Sequence, residues 1–187
     1  RKNQGTGGGF DIHEFLSGKQ PIQTHSSNDP NVECKADVIT DLTDNSASVT
    51  RYLQLRFRAN VHNMRQRLQP VYLSAVFTNL RTSNTNGGKY NSMTLTYRGN
   101  SQYSSEVITY QNGSCAVFSV KNTRDNPPSR PPLSTIEVRF RSNSEGNEPA
   151  CLEAAMKFAE TYARGHPPMK LLLPNCLTKA LEKGTEK

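Results

Sequence analysis

The chain has 187 residues, 34% of them hydrophobic, with 23 Lys+Arg against 16 Asp+Glu, a net charge of +7, no Trp and four Cys. That length suits one domain of ordinary size with room for a real core, and two domains are not expected. No stretch approaches eighteen consecutive apolar residues, so the chain reads as a soluble protein with no membrane partner.

Residues 1–9 read as a flexible leader. The Gly5 to Gly9 run has no strand before it and no Lys-Ser/Thr after it, so it is not a phosphate loop, and no cofactor is expected. Phe10 to Leu16 suits a short helix. Residues 32–41 then alternate apolar and polar until Asp44-Asn45-Ser46 breaks the pattern, and 49–59 follow as a second strand. The densest basic cluster, Arg51, Arg56, Arg58, Arg65 and Arg67, begins here, interrupted by Tyr52 and Phe57. Such a patch suggests nucleic acid. On a strand, however, Leu53, Leu55 and Phe57 alternate with Tyr52, Gln54, Arg56 and Arg58, so a solvated sheet face is the preferred reading and no nucleic-acid partner is expected.

Residues 68–77 put Val71, Leu73, Ala75 and Phe77 on one face. Asn84 to Gly88 turns the chain, Met93, Leu95 and Tyr97 alternate, Arg98-Gly99-Asn100 turns it again, and 106–110 form another short strand. Asn112-Gly113 is the strongest hairpin signal, because both residues tolerate the positive φ of a type I′ turn. Residues 115–120 return. Pro127-Pro128 and Pro131-Pro132 mark a stiff loop before 133–141, the last long strand, with Ile136, Val138 and Phe140 on one face. The period then becomes helical: over 150–164, Cys151, Ala154, Ala155, Phe158 and Tyr162 form one stripe, with Pro149 before it and Gly165 after it. Residues 178–187 read as a C-terminal tail. Seven or eight antiparallel strands and one helix suggest an all-β fold, a closed up-and-down barrel with the helix packed outside, with a two-sheet sandwich as the competing architecture.

Cys34, Cys115, Cys151 and Cys176 contain no Cys-x-x-Cys pair, and the four His are equally scattered, so two disulfides are preferred to a metal site and no metal is expected. The chain starts at Arg1 without Met or an apolar signal segment, which suits a mature secreted form. Asn112-Gly113-Ser114 is a glycosylation sequon in a polar turn. No Gly-x-Ser-x-Gly or comparable nucleophile signature is present, and His62 and His166 sit in loops, so an enzyme is not expected.

Several segments are similar to the tick salivary lipocalins, the histamine-binding protein family. They are Phe10-Asp11-Ile12 leading to Pro21-Ile22, the run from Asn31 to Val38 around Cys34, the run from Met93 to Tyr97, and the run from Tyr110 to Phe118 around Cys115. The ending resembles the family too, from Ile136-Glu137-Val138-Arg139-Phe140 through Pro149-Ala150-Cys151-Leu152 to Pro174-Asn175-Cys176. The resemblance covers 10–177 and implies an eight-stranded, secreted, monomeric lipocalin barrel that withholds a small ligand from a host. It also implies nested disulfides, Cys34 to Cys176 and Cys115 to Cys151, whose loops would contribute roughly 5 and 4 kcal/mol in the chain-entropy model.

If Cys34 and Cys115 point outward, their opposite-parity neighbours point in: Lys35, Asp37 and Ile39 on one strand, Ala116, Phe118 and Val120 on another. Parity alone does not choose for the last strand. The family's motif places its acidic ligand residue on the inner face, which carries over to Glu137 and brings Arg139 in with it. Amine-binding members pair lumenal carboxylates with aromatic rings, a role open to Asp37 and Glu137. Arg139, however, stands where the amine motif has Trp or Tyr, and a buried Arg would neutralise Glu137 and repel an ammonium. A bland alternative is that Glu137 and Arg139 satisfy each other or lie on a solvated face. The preferred ligand is an amphipathic lipid (eicosanoid, fatty acid or sterol) held by Ile39, Phe118, Val120 and some of Tyr72, Met93, Tyr97 and Tyr110, with Arg139 or Lys35 meeting its polar group. Histamine or serotonin is the alternative. A host immune protein or cell surface met by the outer arginines is a third reading.

Overall fold

A computed structural model describes residues 10–55, 69–79, 89–98, 101–123, 134–141, 148–162, 167–174 and 176–177. The leader, the tail beyond 177, the arginines at 56, 58, 65 and 67, the turn at 84–88, Gly99-Asn100, the proline loop, His62, His166 and Gly165 lie outside these residues.

A short helix α1 (Ile12–Leu16) precedes eight strands: β1 (Ile22–Ser27), β2 (Val32–Thr40), β3 (Ser46–Leu55), β4 (Gln69–Thr78), β5 (Ser92–Tyr97), β6 (Gln102–Asn112), β7 (Cys115–Asn122) and β8 (Ser134–Arg141). Helix α2 (Glu148–Tyr162) and a two-residue strand β9 (Lys170–Leu171) follow. Each strand from β2 to β8 pairs antiparallel with the next, and β1 pairs with both β2 and β8, so the sheet closes into an up-and-down barrel rather than a sandwich. Closure removes the unpaired edges that an open sheet would expose.

β1 lacks the apolar alternation that marks β4 and β5. Its register shifts between Thr24 and Ser26, and its inward residues include polar Thr24 and Ser27, so no apolar period announces it in the sequence. β9 pairs antiparallel with β1 in the same sheet, at Ser26 and Ser27. The hairpin at β6–β7 forms one residue later than Asn112-Gly113 suggests. Asn112 still pairs with Cys115, leaving Gly113 and Ser114 as the turn, and Gly113 takes the positive φ of 59°.

α1 starts where the Asp11 carboxylate accepts from the His13 N–H. Its Ile12, Phe15 and Leu16 are buried in the apolar core at one end of the barrel, with Ala47, Val49, Phe77, Met93, Ala116 and Phe118. α2 packs outside on β6, β7 and β8, where Cys151 and Ala155 cover Val117, Ile136 and Val138, with Ala154 and Phe158 alongside. Two disulfides fasten the C-terminal segments to the outer wall, Cys115 to Cys151 on α2 and Cys34 to Cys176. Among the described residues no helix is long and apolar enough to cross a membrane.

Candidate functional site

With Cys34 and Cys115 turned outward into disulfides, strand alternation sends Lys35 and Asp37 of β2 and Ala116, Phe118 and Val120 of β7 inward. On β8, Glu137 pairs with Phe118 and Arg139 with Ala116, so both face the interior while Ile136, Val138 and Phe140 pack under α2. Two further charges join them. Arg51 of β3 shares its face with Ala47 and Val49, and Glu106 of β6 shares its face with Ser104 and Ile108.

These six side chains are buried and form a ring of alternating sign. Arg51 and Asp37 are register partners, and the guanidinium grips the carboxylate with Nε and Nη2 at 2.8 and 2.9 Å. Its Nη1 reaches across the lumen to Glu106 Oε1 at 2.8 Å, which also accepts from the Ser104 hydroxyl at 3.0 Å. Arg139 Nη1 donates to the other Glu106 oxygen at 2.5 Å, while its Nε and Nη2 donate to Glu137 Oε2 at 2.8 and 2.6 Å. Lys35 Nζ then donates to both Glu137 oxygens, at 2.8 and 3.0 Å, and returns the chain of contacts to β2 two residues from Asp37. Three cations meet three anions, so among the described residues the ring is charge-balanced.

Burial by itself would raise the Glu106 carboxyl, but Arg139 and Arg51 outweigh it and hold the group well below its ordinary value. Burial works against Glu137 in the same way, and Lys35 and Arg139 bring it down to about 2. Burial, with Arg51 beside it, lowers the Lys35 ammonium despite the pull of Glu137. Both glutamates are therefore held ionised, which makes neither a proton donor at neutral pH.

Aromatic rings back the ring of charges on both sides. Towards α1, the Arg139 guanidinium lies 4.3 Å from the Phe118 centroid, and Phe118 in turn packs on Phe15 at 5.6 Å. Towards the other end, Arg51 lies 5.5 Å from Tyr103, whose ring meets Tyr97 edge-on at 5.1 Å. The inward residues at that end, Leu53, Val71 and Tyr97, are only partly buried, so the accessible inner surface lies beyond the charges and away from α1.

Asp37, Glu137 and Arg139 thus converge in the ring; Phe118 and Val120 line the interior beside it, and Ile39 packs against the apolar core. Met93 faces in as well. Tyr72 does not. It lies on the outer face of β4, 50% exposed, with its ring 5.2 Å from the Arg98 guanidinium, because Val71 and Leu73 take the inward parity. Tyr110 packs with the α2 cluster on the outside, after a register shift in β6 reverses its face. Asn112 ends β6, half-buried, its amide 3.4 Å from the Tyr110 hydroxyl.

Arg51 corrects the expectation of a solvated basic face: it is 0% exposed. The signal was its parity, since it shares odd numbering with Ala47, Val49 and Leu53. Glu106 carried no such signal, as Ser104-Ser105-Glu106 has no apolar period.

No protein-family model and no curated protein sequence matches this chain. Solved structures do. Lobster apocrustacyanin A1 is similar with a TM-score of 0.56 and 8% identity over 90% of this chain and 83% of that one. LTBP1 in its complex with LTC4 is similar with a TM-score of 0.51 and 15% identity, over 91% of each chain. The bovine lipocalin allergen Bos d 2 follows with a TM-score of 0.50 and 13% identity, over 86% of this chain and 93% of that one. At such identities the likeness is one of fold, and the closed eight-stranded barrel with its outer helix is the lipocalin fold.

Proposed function

We propose that this chain binds and sequesters a small amphipathic lipid, an eicosanoid, fatty acid or sterol, on the inner surface beyond the charged ring. The observation that carries the choice is the pairing of every carboxylate in the ring. Asp37, Glu106 and Glu137 are each held by at least one guanidinium or ammonium, so a cationic amine gains no free counter-charge there. The apolar and aromatic inner wall of Leu53, Val71, Tyr97 and Val120 suits a hydrocarbon body. The complex of LTBP1 with LTC4 is a precedent on the same fold. Carboxylates held ionised by the cations beside them, and so not available as proton donors at neutral pH, favour binding over catalysis.

The wider reading is a secreted salivary protein of the tick histamine-binding family that dampens a host's inflammatory or immune response. Its support is the segmental resemblance, together with two disulfides in the pairing that the resemblance implies. Native mass spectrometry of the purified protein, before and after organic extraction, tests the ligand class. The expected result is a lipid-sized mass excess that extraction removes. A protein that carries no lipid and binds tritiated histamine at micromolar concentration or better would overturn it.

A further inference from the structure

Within that lumenal reading, on which this inference rests, the ring of charges also specifies the ligand's polar end. Each of Glu106 and Glu137 sits between two cations, and each of Arg51 and Arg139 between two carboxylates. Lys35, Arg51 and Arg139 balance Asp37, Glu106 and Glu137, and all six are at most 4% exposed. Among the described residues, a ligand carboxylate beside them would be a fourth anion with no cation of the ring to spare, and a ligand ammonium a fourth cation with no carboxylate of the ring to spare. Either leaves an uncompensated charge where water is excluded, the costly case for a buried ion. An uncharged hydroxyl or carbonyl requires a hydrogen bond and nothing more.

The donor for it is in place. An ammonium has three N–H groups, and Lys35 directs two bonds at Glu137, so among the described residues its third N–H has no protein acceptor. Lys35 also stands on the side of the ring away from α1: its register partner is Leu53, next to the partly buried inner wall, whereas Asp37 pairs with Arg51 one step deeper. We propose that, within the proposed class, the lumen selects lipids whose polar end is uncharged, a sterol or lipid alcohol ahead of a fatty-acid or eicosanoid carboxylate, with a hydroxyl or carbonyl oxygen accepting from Lys35 Nζ and the apolar body lying along Leu53, Val71 and Tyr97.

Three probes that share a twelve-carbon tail separate the alternatives: dodecanol, dodecanoate and dodecylammonium, titrated at neutral pH against the intact protein after organic extraction. Dodecanol is expected to bind about tenfold or more tightly than either ion. The charge rule then predicts opposite shifts in two variants. Lys35→Met leaves the ring one negative charge in excess and moves the preference towards dodecylammonium; Glu137→Gln leaves one positive charge in excess and moves it towards dodecanoate. If a variant does not fold, the ranking on the unaltered protein still decides. Dodecanoate or dodecylammonium equalling dodecanol there overturns the selection for uncharged ends and leaves lumenal lipid binding standing. Failure of all three probes to bind overturns both.

Discussion

The inner wall of the barrel is built in two ways. On β4 and β5 the inward residues are Val71, Leu73, Ala75, Phe77, Met93, Leu95 and Tyr97, with no charge among them. On β2, β3, β6 and β8 the inward positions carry six charges whose contacts cross the lumen. The apolar wall is stabilised by area and close packing, terms that hardly depend on pH. The charged wall is stabilised by each member having its partners, so the loss of one is felt by the rest. Under the proposed function the same division would sort a ligand, with its body against the first wall and its polar end towards the second.

The largest effect is expected from breaking the charged wall. Arg51→Met strands Asp37 altogether and removes one of the two cations on Glu106, and should cost about 3–5 kcal/mol of folding free energy, read from denaturant midpoints. Adding Asp37→Asn to that variant should restore part of the loss, because the stranded carboxylate goes with it; strict additivity of the two substitutions would deny the coupling. Leu95→Ala on the apolar wall should cost about 2–5 kcal/mol through its cavity. That loss comes from buried area and cavity volume and not from charge.

Acid sharpens the contrast. Burial opposes ionisation of Glu137, yet Lys35 and Arg139 bring its carboxyl from an ordinary value near 4.5 to about 2, and Glu106 is lowered as well. A carboxyl depressed in the folded state adds stability that is fully present above its unfolded value and disappears as pH falls through the folded one. The denaturant midpoint should therefore hold steady down to about pH 5 and decline from there towards pH 2. Leu95→Ala should keep that slope and Glu137→Gln should flatten it. A midpoint at pH 3 equal to that at pH 7 would mean that the ring contributes nothing through its charges.

The apolar wall was far more legible in the sequence than the charged one. Val71, Leu73, Ala75 and Phe77 announce both a strand and its inner face, because burial writes a period of two directly into hydrophobicity. The outward cysteines did the same for Lys35 and Asp37, since a disulfide to an element outside the barrel sets the parity of its strand. Arg51 escaped because a long basic side chain is ordinarily a surface residue, and a cluster containing Arg56 and Arg58 reads as a solvated face. Its partner on β6 is separated from it by the sequence of two further strands, and no local pattern in Ser104-Ser105-Glu106 points across a lumen. Buried ion pairs are long-range choices of this kind. What single-chain periodicity reports is the face of a strand, and β1, with Thr24 and Ser27 turned inward, shows how little remains when that face is polar.

The smallest effect is expected on the back of the apolar wall. Tyr72 stands on the outer face of β4, stacked near Arg98, between the inward Val71 and Leu73. An exposed cation–π contact is worth about 0.5–1 kcal/mol, so Tyr72→Ala should move the denaturant midpoint by no more than that and leave lipid affinity unchanged. Tyr97→Ala, on the inner face one strand away, removes an aromatic edge from Tyr103 and part of the surface assigned to the ligand body. Its affinity for a twelve-carbon alcohol should fall several-fold in the same titration. Equal losses at Tyr72 and Tyr97 would put both faces of the β4–β5 hairpin in contact with ligand and undo the separation of the two walls. A loss at Tyr97 alone would assign the ligand's body to the apolar wall, leaving the ring of charges to act on its polar end.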